Sequence, residues 1–421
     1  MRDGRVTERD RTILRDLAKR YLEICESDRN AQACLLWRAH NGLERGRPPV
    51  YVNLFFASHI EAEIDAQLSP LKTSEDLRWV EQWFQRRLWA AAIPHDAVYD
   101  PWFTVDAPRQ AARAGTWGIE RKAIRDTNGP GYKYLPVIRS IEEIEKPEAT
   151  PHVVFDADPP LARLLRDLFG DILAVHVNRS TIYPIWGGTD LSEAAGAFLG
   201  LEELMVLLYE QPELVHRLMS FMRDAVVANL EKGEADGDWS LAENQNYGMP
   251  PHTPELPEPT PNSHGAKLKD LWFFTHAQEF EAVSPQQHEE FLLNYQMPII
   301  EKFGLVNYGC CETLDGKIRL LRKIPNLRRI CIGPLASVRK AAERIGRDYI
   351  LSWRPNPSMV SCGFDPDNVR GILRKGLEES EGCNIEVMLK ELMTVQNDLS
   401  RIFNWAKIAN EEVDRFWSRH G

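Results

Sequence analysis

The sequence predicts an α/β protein, a (β/α)8 TIM-type barrel with an N-terminal helical extension. Eight short apolar segments have the length and composition of strands, and helical patterns separate most of them from residue 159 onward. Strands that alternate with helices pair in parallel, and eight such units favour a closed barrel. An open doubly wound sheet is the alternative architecture. The 421 residues, 43% of them hydrophobic, are enough for one large core.

The predicted elements follow from periodicity and from helix signals. Ser284 with Pro285, and Asp365 with Pro366, form start signals in which a capping residue precedes a proline. The predicted helices are 75–92, 160–169 and 201–232, the last re-initiated by Pro212. The predicted strands are 47–56, 172–177, 239–242, 271–275, 305–310, 328–332, 349–353 and 385–389. Residues 1–46 form the predicted helical extension, a cap or dimerisation arm, and residues 47–421 the barrel.

Charge and composition exclude several classes of partner. The formal net charge of -11 is spread along the chain, which argues against nucleic acid. Residues 1–10 lack the apolar stretch of a signal peptide, and no segment approaches the roughly 20 apolar residues that span a bilayer. We therefore expect a cytoplasmic protein without a membrane partner. Its seven cysteines are irregularly spaced, which favours reduced thiols over disulfides.

One segment interrupts the alternation of strands and helices. Residues 249–262 (MPPHTPELPEPTPN) hold six prolines, too stiff and polar for a core element. Two interpretations remain open, a lid over the site and a surface loop without function.

The segment Tyr308 to Glu312 is the candidate reaction centre. Strand alternation predicts that Tyr308 and Cys310 share one face, with Cys311 and Glu312 at the carboxyl end of the strand, where barrel enzymes react. Two thiols followed by a carboxylate are ligands that zinc prefers. His276 and Cys362 are the candidates for the remaining ligands. The alternative is that the cysteines are small buried apolar residues.

Polar side chains also follow other predicted strands, and together they predict a substrate site at the mouth of the barrel. Each one taken alone is equally compatible with a solvated loop residue. The predicted catalytic residues are Tyr308, Glu312, Glu243 and Gln278. The predicted substrate-binding residues are Asn244, His276, Trp353, Arg354 and Asn356.

Several motifs give the chain a resemblance to a known family. The motifs are RGRPPV at 45–50, IEEIEKP at 141–147, the stretch from Phe169-Gly170 through GLEEL at 200–204 to QPELV at 211–215, Val283-Ser284-Pro285, and YGCCE at 308–312. With these motifs, most of the chain resembles the uroporphyrinogen decarboxylase-like superfamily, nearest to its zinc- and corrinoid-dependent methyltransferase branch. The resemblance implies a barrel, frequently dimeric, in which a His-x-Cys pair and a later Cys bind zinc. Tyr308 stands in place of that histidine.

The resemblance implies a methyltransferase with zinc-assisted methyl transfer between a small methylated substrate or a corrinoid protein and an acceptor. The chain lacks the Asp-x-His-x-x-Gly signature of corrinoid domains, so a corrinoid would come on a separate protein. One alternative is a metal-independent decarboxylase or lyase, with Tyr308 and Glu312 as acid and base. Another is a non-catalytic binding protein. A small-molecule substrate and a homodimer complete the expectations.

Overall fold

The computed structural model describes residues 6–54, 58–112, 114–125, 131–185, 190–243 and 248–420. A π-helical turn, Glu289–Leu293, joins two of the helices. The strands are β1 (Val50–Val52), β2 (Trp102–Asp106), β3 (Lys122–Arg125), β4 (Tyr132–Leu135), β5 (Ala174–Asn178), β6 (Trp272–Thr275), β7 (Leu305–Tyr308), β8 (Leu327–Ile332), β9 (Ile350–Trp353) and β10 (Asn384–Leu389). The helices are α1 (Glu8–Cys25), α2 (Asp28–Asn41), α3 (Ser58–Asp65), α4 (Arg78–Ala90), α5 (Ile141–Glu145), α6 (Pro160–Phe169), α7 (Leu191–Leu199), α8 (Leu201–Glu210), α9 (Pro212–Ala235), α10 (Pro285–His288), α11 (Asn294–Ile300), α12 (Ile318–Leu321), α13 (Val338–Ile345), α14 (Ser358–Ser361), α15 (Pro366–Glu379) and α16 (Ser400–His420).

The parallel strands form two sheets. Six of them pair in the order β1-β10-β9-β8-β7-β6, and β2 pairs separately with β5. Strands β3 and β4 form an antiparallel hairpin. Among the described residues no ladder joins β1 to β2 or β5 to β6. The mixed α/β architecture is therefore confirmed as a curled half-barrel of six parallel strands, whereas the closed eight-stranded barrel stays a prediction.

The helix start signals are confirmed. Ser284 forms a capping box with Gln287 and places Pro285 in the first turn of α10. Asp365 accepts hydrogen bonds from the backbone amides of the first turn of α15. Capping satisfies amides that have no partner within the helix, so these short motifs act locally and are readable in the sequence.

The predicted strand at 239–242 is wrong. Ser240 makes an isolated bridge with His264, and the chain then turns into a 3-10 helix, Leu241–Glu243. Trp239 instead packs against Gly233 of α9 and donates a hydrogen bond from Nε1 to the carbonyl of Leu230 (3.2 Å). The apolar residues of this segment therefore serve helix packing.

Strand β2 was not predicted, although buried and exposed residues alternate along Phe103 to Asp106. Phe103 and Val105 lie in an apolar core with residues of α1, α4 and α6, while Thr104 lies on the opposite face. Such alternation is typical of a strand with two different faces. Helices α1 and α2 account for most of residues 6–46. The division of the chain into an extension and a barrel stays a prediction.

Two residues of the proline-rich segment contact the amino ends of strands. Trp272, the first residue of β6, donates a hydrogen bond to the carbonyl of Pro251 (2.9 Å). Arg328, near the start of β8, forms an ion pair with Glu255 (2.5 Å). Cys310 and Glu312 follow the carboxyl end of β7, so these two contacts lie away from the thiol site, and the lid and the surface loop both stay hypotheses. None of the described helices is long and apolar enough to cross a bilayer.

Candidate thiol site at the carboxyl ends of the strands

Gly309 has a positive φ between Tyr308 and Cys310. Its φ of +103° lies in the region that favours glycine, and a Cβ there would lie 2.9 Å from the carbonyl oxygen of Cys331. The fully buried Tyr308 donates a hydrogen bond to Oε1 of Gln296 (2.8 Å), and its hydroxyl lies 2.8 Å from Nε2 of His288. Cys310 instead contacts Phe274 and Lys390. The prediction that Tyr308 and Cys310 share a face is therefore wrong.

The two thiols meet a lysine and a glutamate from β10. The Sγ atoms of Cys310 and Cys311 lie 3.4 Å apart, and Nζ of Lys390 lies 3.1 Å and 3.2 Å from them. Oε1 of Glu391 lies 2.6 Å from Nζ of Lys390 and 2.6 Å from Sγ of Cys311. Lys390 and Glu391 directly follow β10, so two strand ends build this site.

Electrostatics place the negative charge on Cys310. A hydrogen bond from Cys311 and the charges of Lys390, Arg354 and His276 hold the pKa of the Cys310 thiol well below its usual range, although burial opposes them. The interaction with Cys310 and burial raise the pKa of Cys311. Nucleophilic and metal-binding cysteines are thiolates in such electropositive surroundings. The geometry therefore gives one activated thiolate beside one thiol.

Arg354 holds this arrangement from β9. Its guanidinium donates one hydrogen bond to the carbonyl of Cys310 and another to Sγ of Cys331 (2.7 Å). The side chain is 2% exposed. It therefore adds positive charge next to Cys310 and also fixes the backbone of that residue.

His276 pairs with Asp190, which sequence reasoning missed. Nε2 of His276 lies 3.2 Å from Oδ2 of Asp190, whose Oδ1 accepts from the amide of Ser192 (2.7 Å) as the cap of α7. Burial alone would lower the pKa of His276, but Asp190, Cys310 and nearby glutamates raise it to about 9. The backbone amide of Gln278 makes a long contact of 3.4 Å with Nδ1 of His276. A buried His276–Asp190 pair thus lies at the end of β6.

Glu312 ties the ends of two strands together. Its carboxylate is 1% exposed and accepts hydrogen bonds from the amides of Cys310 (2.7 Å) and Ala277 (2.8 Å). Both oxygens therefore bind backbone donors. This geometry gives Glu312 a positioning role toward Cys310.

The other predicted site residues lie in different surroundings. Glu243 accepts a hydrogen bond from Nε2 of His176 (2.6 Å) on β5. Trp353 packs against Gly376 of α15. Trp353, Asn356 and Cys362 line a separate cavity of about 820 Å³. Asn244 lies outside the described residues.

Two groups of potential metal ligands flank the end of β7. Cys310, Cys311 and Glu391 offer ligand atoms within 4.8 Å of one another, and so do Asp190, His276 and Glu279. Within the described ranges, Cys362 joins neither group, and His276 does not join the two cysteines. Two sulfurs and one carboxylate are a donor set that zinc accepts. The ammonium of Lys390 contacts all three donors, so a metal ion would have to displace it.

The chain is thus an α/β protein with a pair of thiols at the carboxyl ends of its parallel strands. The fold is similar to that of a methyltransferase from Methanosarcina mazei, with a TM-score of 0.50 and 10% sequence identity. The likeness covers 90% of this chain and 98% of that one. No protein-family profile matches the chain, and a search of the curated proteins found no relative. At this identity the likeness concerns the fold alone.

Proposed function

We propose that the chain is a methyltransferase whose reaction centre is the thiol site of Cys310, Cys311, Lys390 and Glu391. The observation that carries the proposal is the pair of thiols at the carboxyl end of β7, within 3.2 Å of the ammonium of Lys390, in a fold similar to that of a methyltransferase. In parallel α/β folds, ligands bind outside the carboxyl ends of the strands. We further propose a small methylated substrate, or a corrinoid protein that brings the methyl group, and a homodimer.

The proposed metal is zinc, bound by Cys310, Cys311 and Glu391, whose ligand atoms lie within 4.8 Å. When bound, zinc would lower the pKa of an acceptor thiol or hydroxyl and turn it into a nucleophile. Zinc binding would require the ammonium of Lys390, which lies 3.1 Å and 3.2 Å from the two sulfurs, to move away from them. Arg354 and Glu312 hold the backbone of Cys310 in place throughout.

Metal analysis of the purified full-length protein tests this proposal. Protein produced with zinc available should contain about one zinc per chain. Cys310→Ser and Cys311→Ser should each lose most of it, while the matched control Cys383→Ser, a cysteine outside both ligand groups, should retain it. A wild-type protein that purifies without zinc and does not take it up would refute the zinc proposal.

The position of Lys390 favours a second candidate function, a metal-independent transfer reaction in which the Cys310 thiolate is the nucleophile. Here the ammonium, 3.1 Å from Sγ, is the permanent counter-ion of the thiolate. The thiolate would attack an electrophilic carbon of the substrate and form a thioether, while the leaving group departs with the bonding electron pair. A second nucleophile would then take the group from sulfur.

The variant Lys390→Met separates the two candidates. If zinc binds, removal of a competing cation should raise zinc affinity. If the thiolate acts without metal, the same variant should lose transfer activity and gain no metal. Zinc affinity and the mass of a trapped thioether on Cys310 are the two measurements. A chain that shows neither would be the non-catalytic binding protein.

A further inference from the structure

A cavity of about 390 Å³ lies beside β1 and β2, where no ladder joins these strands in the described part of the chain. Residues of α1 and α4 line it on one side, and Met249 to His252 of the proline-rich segment line it on another. None of the thiol-site residues lines it. It is therefore separate from the thiol site, and the stiff proline-rich segment forms part of its wall.

Aromatic rings make up much of this wall: Tyr21, Tyr51, Trp83, Tyr99 and Trp102. The rings of Tyr21 and Trp83 meet edge-on with their centroids 5.2 Å apart, and the ring of Tyr51 stacks on His95 at 5.7 Å. The Tyr21 hydroxyl donates a hydrogen bond to the carbonyl of Asp100 (3.0 Å). These contacts hold the rings in fixed positions around the space.

Asp100 lines the same cavity as these rings and is partly exposed. Arg87 also lines the cavity, and its charge acts on the carboxylate of Asp100. Burial raises the pKa of Asp100 to about 7, although the charge of Arg87 opposes the shift. Asp100 is the acidic residue among those that line the cavity, so it offers a cationic ligand a charged partner.

The neighbouring imidazole does not supply that cation. Burial, with the charge of Arg29, lowers the pKa of His95 to about 3. Nδ1 of His95 accepts a hydrogen bond from the amide of Val52 (3.1 Å), which also requires a ring nitrogen without a proton. His95 therefore stays neutral beside Asp100.

We propose that this cavity binds a small organic ammonium compound, with the ammonium group between Asp100 and the aromatic rings. Aromatic faces attract cations with apolar substituents, and a carboxylate adds the charge-assisted contact. The guanidinium of Arg87 lies 4.0 Å from the Trp83 ring centroid on the same wall, where it suits a ligand that also carries a carboxylate. The proposal does not depend on the reaction at Cys310.

A pair of isosteric ligands tests the proposal on the wild-type protein. Choline and the neutral alcohol in which carbon replaces the nitrogen have the same shape but differ in charge. Calorimetry, or the fluorescence of Trp83 and Trp102, should show choline binding about tenfold or more tightly than the alcohol. Equal affinity for the two ligands, or no choline binding at about 10 mM, would overturn the proposal.

The variant Asp100→Asn keeps the shape of the side chain and removes its charge. It should weaken choline binding about tenfold or more and leave binding of the neutral alcohol unchanged. The control Asp76→Asn alters an exposed aspartate on the same half of the chain and should change neither. Unchanged choline affinity in a folded Asp100→Asn protein would contradict the proposed contact.

A third ligand, glycine betaine, tells simple cations from zwitterions. Tighter binding of betaine than of choline would assign a carboxylate-bearing ligand, and the reverse order would assign a simple ammonium compound. Both results keep the ammonium contact with Asp100. A positive result together with a protein that lacks zinc would leave this site standing while the zinc proposal fails.

Discussion

The side-chain nitrogen of Lys390 lies 3.1 Å from the sulfur of Cys310, although the two residues are 80 positions apart in the chain. Lys390 follows β10 and Cys310 follows β7 by one glycine, so the contact depends on the parallel sheet that brings both strand ends to one edge. The ammonium stabilises the thiolate, which makes Lys390 the first residue to test.

Replacement of Lys390 by methionine should raise the pKa of Cys310, because a neutral chain of similar length removes the nearest positive charge. We expect the rate of Cys310 alkylation by iodoacetamide at neutral pH to fall about tenfold or more. Peptide mass analysis identifies the modified residue. Lys323→Met, which alters an exposed lysine, is the control. An unchanged rate would mean that the lysine does not activate the thiol.

Replacement of Tyr308 by phenylalanine should affect stability and leave the chemistry intact. The hydroxyl binds Gln296 and His288 in the core, so its loss should lower the free energy of unfolding by about 1–2 kcal/mol. Urea unfolding measures this, with the exposed Tyr132→Phe as control. Loss of Cys310 reactivity at unchanged stability would instead support a catalytic tyrosine.

Replacement of Glu312 by glutamine should destabilise the end of β7. One of the two acceptor oxygens becomes an NH2 group that faces the amide of Cys310 or Ala277, at a cost of about 1–3 kcal/mol. Chemical denaturation of this variant and of the exposed control Glu343→Gln gives the difference. Wild-type stability in Glu312→Gln would show that the backbone contacts are dispensable.

The pairing of His276 with Asp190 should make stability depend on pH. The pKa of His276 is raised from 6.5 to about 9, so its contribution is complete below about pH 6.5 and is lost as the pH rises through about 9. Denaturant titrations across this pH window should show that the free energy of unfolding falls more steeply with pH in the wild type than in His276→Gln. Burial raises the pKa of Asp190 to about 7 and lowers that of Lys317 to about 8, so both groups also titrate in this window. The effect of Lys317 largely cancels in that difference. Parallel curves for the two proteins would contradict the raised pKa.

Local signals predicted much of the secondary structure and the end of β7 as a candidate site. Caps such as Ser284 and Asp365 act within four residues, so the sequence displays them directly. Residues 239–242 were predicted as a strand because they are apolar. Apolar residues also pack against helices, as Trp239 does against α9. Periodicity alone does not separate the two.

The orientation of the site residues was harder to predict. The alternation of side chains along a strand predicted Tyr308 and Cys310 on one face. The positive φ of Gly309 interrupts that alternation. A glycine within a strand pattern was the sequence signal for such an irregularity. No local sequence motif predicts the roles of Lys390 and Asp190. For Lys390, the available signal was its position as a charged residue directly after β10.

The side chain of Asn262 forms hydrogen bonds with backbone groups at the edge of β5. Its Oδ1 accepts a hydrogen bond from the amide of Val177 (3.0 Å), and its Nδ2 donates to the carbonyl of Val175 (3.0 Å), as a neighbouring strand would. Open strand edges recruit other chains and lead to aggregation. Asn262, at the end of the proline-rich segment, thus helps to keep this strand edge from pairing with another chain.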